Sequence, residues 1–261
     1  MEDSTKTDGN SPQFNKDLYR SEESEIFRSL YSSFNNSSLS LAYKLQAFPL
    51  FVRRQDMAYF MAKYEIFKQL ININGSIVEC GVFAGGGIMT WLHCSSILEP
   101  YNHTRKIIGF DTFSGFPEID ESDQATGTSE HLHVGGLKVS ATAKDELLNL
   151  ISIHRRNAPL PHINKVELIE GDACETIPKY VDDNPHLLIS LLYLDFDIYR
   201  PTKAALQALF KRVVKGGIVA FDELNCKQYP GETIAMLEEL DLGNVELKRF
   251  PFTTHMSYFI K

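Results

Sequence analysis

The sequence predicts a doubly wound α/β protein, and three observations predict it. Short β-rich apolar runs alternate with amphipathic stretches, the pattern of parallel strands joined by crossover helices. The run from Leu187 to Leu194 is apolar on both faces, as a strand in the middle of a parallel sheet must be. Near the C-terminus two β-rich segments follow each other with no loop left for a crossover, so they form an antiparallel hairpin. Together these give about seven strands, mostly parallel, with helices on both faces, within a chain of 261 residues that suffices for one large core.

In chain order, residues 1–38 are rich in Ser, Asn, Asp and Lys and read as a flexible polar arm, where only Phe27, Leu30 and Tyr31 hint at a short helix. From Arg53 onward Met57, Phe60, Met61, Tyr64, Phe67 and Ile71 recur at helical steps and predict one apolar face. This helix leads into a single domain over 39–261. Strands are expected at 76–81, 106–111, 165–170, 187–195 and 217–222. Helices are expected near 87–99, 143–156, 174–182, 201–213 and 231–240, and the hairpin pairs residues from 245–250 with 256–260.

Composition narrows the function. With 43% hydrophobic and 23% charged residues the chain has a globular balance. Its 26 Lys plus Arg against 34 Asp plus Glu leave a net charge of −8, which disfavours a nucleic-acid partner. Cys80, Cys94, Cys174 and Cys226 match neither a zinc pair nor a redox pair and read as reduced thiols. The amino terminus has no basic and apolar leader pattern, and no apolar stretch is long enough for a bilayer, so the expectation is a cytoplasmic protein without a membrane partner. Self-association is left open.

In an open α/β sheet, ligands sit beyond the carboxyl ends of the strands. The first strand ends in VECGVFAGGG, whose glycines allow a tight turn against a ligand, with Glu79 placed to meet an ammonium group. Phe83 stands where a dinucleotide turn needs its second glycine, which argues against that motif. Asp111, at the end of IIGFD about 25 to 30 residues on, has the position of a carboxylate that accepts ribose hydroxyls. Asp172 in IEGDACETIP reaches the same edge and suits an exocyclic amino group, though each acid taken alone is more often a helix N-cap. Asp195 and Asp197 in LDFDIYRP and Asp222 and Glu223 in VAFDELN crowd two further strand ends. Taken as strand residues, Asp195 and Asp197 would share a face; crowded oxygen donors without a nearby Cys/His set suit Mg²⁺.

These segments, VECGVFAGGG, FDTFSGFP, EGDACETIP, LDFDIYRPTKAAL and KGGIVAFDE, resemble in order and spacing the macrocin O-methyltransferase-like family from Arg53 to Met236. The resemblance implies a Rossmann-like fold and a Mg²⁺-dependent enzyme that uses S-adenosylmethionine. It implies that Glu79, Gly81 and Gly85, with Phe83 and Ala84 between, meet the methionine part of the cofactor. It likewise implies Asp111, beside Thr112 and Ser114, on the ribose; Asp172, beside Ala173, near adenine; and Asp195, Asp222 and Glu223 at the metal. The usual Asp-Asp pair is Asp-Glu here, and position 198, where more distant catechol-type enzymes place a lysine base, is Ile198.

For the base, Asp197 is preferred, with His131 and His133 as competitors in the long segment between Thr112 and Ala141, a length that suggests a lid or substrate collar. Phe51, Phe113, Phe116 and Tyr199 are candidate walls for the acceptor. The leading reading is an O-methyltransferase for a hydroxyl of a sugar or glycosylated small molecule. A nicotinamide-dependent oxidoreductase and a non-catalytic cofactor- or metal-binding module are the alternatives.

Overall fold

The apolar runs form strands β1 (Ser76–Cys80), β2 (Ile107–Asp111), β3 (Val166–Glu170), β4 (Ile189–Leu194), β5 (Val213–Phe221), β6 (Lys248–Arg249) and β7 (Ser257–Ile260). In this computed structural model residues 22–125, 127–253 and 256–261 are described. Residues 1–21 of the polar arm and His255, to which no role was given, lie outside them. The described chain falls into two compact units, one ending at Met61 and one from Ala62 to Lys261.

The first unit holds α1 (Glu23–Asn36), α2 (Leu41–Gln46) and the start of α3 (Arg54–Leu70). Ser40 caps α2 by accepting the Tyr43 amide, and the Gln55 amide donates to Glu23 at 3.1 Å. The stretch from Glu23 to Asn36, expected to be mostly flexible, is helical; its polar composition concealed it.

The second unit is a seven-stranded sheet in the order β3-β2-β1-β4-β5-β7-β6, in which β7 alone runs against the other strands. The hairpin inserts its second strand beside β5, so β7 pairs on both sides. Helices α4 (Gly86–Leu98), α5 (Ala143–Asn157), α6 (Ala173–Asp183), α7 (Tyr199–Leu209) and α8 (Gly231–Glu239) complete the crossovers. Alternation within the strands divides the core. Val78, Cys80, Ile108, Phe110, Leu192, Leu194, Val219 and Phe221 pack with Ile177 of α6, Leu206 and Leu209 of α7 and Met236 of α8. On the opposite face Tyr193 meets Trp91 of α4 edge-on, with ring centroids 5.7 Å apart.

Two expectations need correction. Helix α7 stops at Leu209, and β5 starts at Val213 rather than near 217, because Gly216, at φ 85, and a register irregularity in β4 and β5 let the strand continue through a bulge. In α3 the buried face is Ala62, Lys63, Ile66, Phe67 and Leu70, whereas Phe60, Met61 and Ile71 are exposed. The face is rotated because a lysine lies inside it, and counting apolar residues cannot register a buried cation.

Candidate functional site

Strand order reverses at β1, which lies between β2 and β4, so the crevice belongs at their carboxyl ends. Gly81 has φ 97, and a Cβ there would overlap the Asp195 carbonyl. The glycine lets the end of β1 press on the end of β4, where the Asp195 amide donates to the Cys80 carbonyl at 2.8 Å. The turn then runs through Val82 to Gly85, with Phe83 and Ala84 exposed at the rim.

Asp111 staples that turn. Its Oδ2 accepts the amides of Val82 and Phe83, both at 2.7 Å, and its Oδ1 accepts that of Phe113 at 2.6 Å. A carboxylate oxygen has more than one lone pair, so this role leaves acceptor capacity for ribose hydroxyls. Thr112 and Ser114 form a local turn: the Thr112 hydroxyl donates to the Gly115 carbonyl and accepts the Ser114 amide. Gly85 packs where a Cβ would overlap Leu147 of α5. Asp172 is the N-cap of α6, accepting the Cys174 amide at 2.8 Å, with Ala173 buried behind it.

Glu79 is buried in β1, and the Lys63 ammonium lies 3.6 Å from its Oε1. Burial raises the Glu79 pKa, while Lys63 draws it back down. Lys63 also stands 3.9 Å from the centroid of the Tyr193 ring and 5.2 Å from that of Trp91. The sequence offered no sign of this lysine beyond its place in a helical pattern.

β4 ends at Leu194, so Asp195 and Asp197 lie beyond the strand, and Asp197 has φ 64. Strand alternation therefore does not govern these two residues, and the expectation that they share a strand face is corrected. They share an electrostatic environment instead. Burial pushes both pKa values well above the carboxylate range; Asp222 adds most to the shift of Asp195, and Glu223 and Asp222 to that of Asp197. The Tyr193 hydroxyl donates to Asp222 at 2.9 Å.

Sequence reading missed Glu232. This buried residue in the first turn of α8 accepts the Asp197 amide at 3.2 Å and the Glu223 amide at 3.1 Å, one on each carboxylate oxygen. It ties the ends of β4 and β5 together, and burial followed by the nearby Asp197 pushes its pKa well up. The only available signal was an acid just after Pro230-Gly231 at a helix start.

The donor chemistry of Asp195, Asp222 and Glu223 suits a hard cation: oxygen ligands only, whose mutual repulsion a divalent ion would relieve. Among the described residues, however, no three His, Cys, Asp or Glu side chains form a ready-made metal cage. The carboxylates feel one another without having converged.

The segment between β2 and α5 folds against the region leading into α8. The Ser129 amide donates to the Gln228 carbonyl at 3.0 Å, and the Tyr229 hydroxyl donates to Ser129 Oγ at 3.0 Å. Burial pushes the Tyr229 pKa up to about 12, with Asp197 and Glu223 adding to the shift, which puts the phenol beside the acids. Buried Asp123 accepts the Tyr199 amide at 2.7 Å. His131 is half-buried, its amide donating to Ser129; His133 is exposed, its ring 3.1 Å from the Val134 carbonyl. Among the described residues no hydrogen bond joins either imidazole to the acids. Of the aromatic wall candidates, Phe113 and Phe116 are buried, and Tyr199 turns its hydroxyl to Glu238 at 2.6 Å.

A switch-point crevice with a glycine turn on one side and clustered acids on the other is the arrangement of a Rossmann-like group-transfer fold. A crystal structure of CalS11, a calicheamicin methyltransferase, superposes with a TM-score of 0.89 at 32% identity, covering 97% of this chain and 99% of that one. Residues 53–240 match the macrocin-O-methyltransferase (TylF) family, and the chain belongs to that family of methyltransferases. Two curated relatives are each 26% identical to it: the 8-demethyl-8-(2,3-dimethoxy-alpha-L-rhamnosyl)-tetracenomycin-C 4'-O-methyltransferase of Streptomyces olivaceus and the demethyldecarbamoylnovobiocin O-methyltransferase of Streptomyces niveus. Each match covers 58% of this chain and 53% of the relative, so the chain spans about half the length of these curated relatives.

Proposed function

We propose that the protein transfers a methyl group from S-adenosylmethionine to a hydroxyl of a sugar, carried on a nucleotide or on a small-molecule glycoside, with Mg²⁺ bound. The observation that carries the reading is the shared electrostatic environment of Asp195, Asp197, Asp222 and Glu223, at the ends of β4 and β5, together with the Asp111-stapled turn after β1. Support for the acceptor comes from a relative 32% identical over 93% of this chain, a TDP-rhamnose 3'-O-methyltransferase of calicheamicin biosynthesis. The two curated relatives are also O-methyltransferases, one of a rhamnosylated compound.

The sulfonium cofactor supplies an electrophilic methyl, and a divalent ion supplies charge that orients neighbouring hydroxyls and favours their ionisation. The chain's own residues do the rest. Asp111, Glu79 and the glycine turn bind the donor; Asp195, Asp222 and Glu223 hold the cation. Asp197, in its carboxylate form, would take the proton of the acceptor hydroxyl as the oxygen–methyl bond forms and the donor's sulfur leaves as a neutral thioether. Glu232 fixes the backbone of both acidic ends through the Asp197 and Glu223 amides. Tyr229 and Ser129 close the collar over this side of the crevice.

The test is transfer of isotope-labelled methyl to TDP-rhamnose and a panel of phenolic glycosides, alongside titrations with S-adenosylmethionine and with NAD. The reading predicts labelled sugar and binding of the sulfonium cofactor alone. Binding of NAD without methyl transfer would replace it with the oxidoreductase alternative. Cofactor binding without transfer to any sugar would leave a non-catalytic module.

A further inference from the structure

We propose that Lys63 is a positioning residue for the cofactor: from inside the core it anchors the Glu79 carboxylate at the start of α4, where that carboxylate meets the donor's ammonium group. This inference rests on the reading above, in which Glu79 serves the methionine part of S-adenosylmethionine.

Three contacts converge on Lys63, from Glu79, Tyr193 and Trp91. Its ammonium is 3.6 Å from Glu79 Oε1, and both side chains are only 2% exposed. It sits over the rings of Tyr193 and Trp91. A Cβ on Gly87 would overlap Glu79 Oε1 and come within 2.7 Å of the Lys63 nitrogen, so the pair occupies space that only a glycine in the first turn of α4 leaves open. Asp195, across β1 and β4, feels the same cation. A lysine at a helix position facing a sheet usually gives way to leucine, because burying an ammonium is costly unless it is paired. Its presence here is explained by the carboxylate it faces.

The chemistry gives the pairing a purpose. Glu79 lies in an apolar layer that favours its neutral form, and nearby Asp111 pushes the same way; Lys63 is the charged group that opposes them, with the Trp91 side chain assisting. Tyr193, the β4 neighbour of Glu79, presents a ring face to Lys63 and sends its hydroxyl to Asp222. Cys80, next along the strand, has its thiol pKa pushed well up by burial and is uncharged. A protonated Glu79 cannot form a charge-assisted bond to the donor's ammonium. Without Lys63 the carboxylate would hold its proton to higher pH and lose that bond; raising the pH would restore it.

Calorimetric titration with S-adenosylmethionine between pH 6 and pH 9 tests this on the full chain. Lys63→Met is expected to bind about tenfold or more weakly than wild type at pH 7 and to close that gap as the pH rises. Lys63→Arg, which keeps the charge, should stay within about threefold of wild type. Glu79→Gln should bind weakly, with no pH dependence beyond that of the donor's own amino group. Should Lys63→Met fail to fold, the Lys63→Met/Glu79→Gln double variant, which removes both buried charges, carries the test: its affinity should equal that of Glu79→Gln. Equal affinity of Lys63→Met and wild type at every pH, a loss that pH does not relieve, or additive losses in the double variant would overturn the assignment. Absence of binding by the wild type would instead refute the functional reading itself.

Discussion

The two ends of the parallel sheet treat charge in opposite ways. At the amino ends of the strands Arg105, only 2% exposed, is fully engaged. Its Nε donates to Glu99 at 2.8 Å, and its two terminal nitrogens donate to Ser190 and to the carbonyls of Gly75, Leu70 and Ile73. At the carboxyl ends burial raises the pKa values of Asp195, Asp197 and Glu232, and the charge of Asp222 adds to all three shifts, with Lys63 the cation acting on Asp195. The first region is built as a buried ion should be for stability, with each of the guanidinium's nitrogens given an acceptor. The second accumulates like charge that stability alone would remove, and such places are where chemistry is performed.

Breaking each end should therefore give a different signature. The largest effect is expected at Asp197: Asp197→Asn should cut turnover by about 10² to 10⁴ if it removes the acceptor proton, while the melting temperature holds or rises. A loss below about tenfold would pass the role to another base, and His131 and His133 would be tested next. Arg105→Met should do the reverse. Removing one member of a buried pair costs about 3–5 kcal/mol of stability, read in urea unfolding, with cofactor affinity per folded molecule near wild type. Saturating Mg²⁺ should raise the melting temperature, the added stability reaching about 2.7 kcal/mol at a hundredfold excess over Kd, and this gain should vanish in Asp222→Asn. The smallest expected change is in Tyr229→Phe. Deleting one hydroxyl contact to Ser129 should cost about 1 kcal/mol and raise the acceptor KM more than it lowers kcat.

The same contrast explains what could be read from the sequence. Strand ends were legible because parallel strands announce themselves as continuous apolar runs, so β1 to β4 fall within a residue or two of expectation. Asp111, Asp195 and Asp222 were legible because they terminate those runs. Glu232 and Lys63 were not, since each lies within a helix and acts through partners distant in the chain: Glu232 on the amides of Asp197 and Glu223, Lys63 on Glu79. The conformation of Asp197 was hidden too, because nothing local to LDFDIY reveals that the strand stops at Leu194. The collar's histidines attracted notice as imidazoles in a long loop, yet Tyr229 is a contact of that loop whose titration feels the acids.

The most direct test of the central claim is a Mn²⁺ titration followed by the loss of the free-ion paramagnetic resonance signal, with Mn²⁺ standing in for Mg²⁺. The account predicts a single ion bound per chain in the wild type, displaced by excess Mg²⁺ and absent from Asp195→Asn and Asp222→Asn. Wild-type protein that leaves the Mn²⁺ signal unchanged, or variants that bind the ion as tightly as wild type, would contradict it.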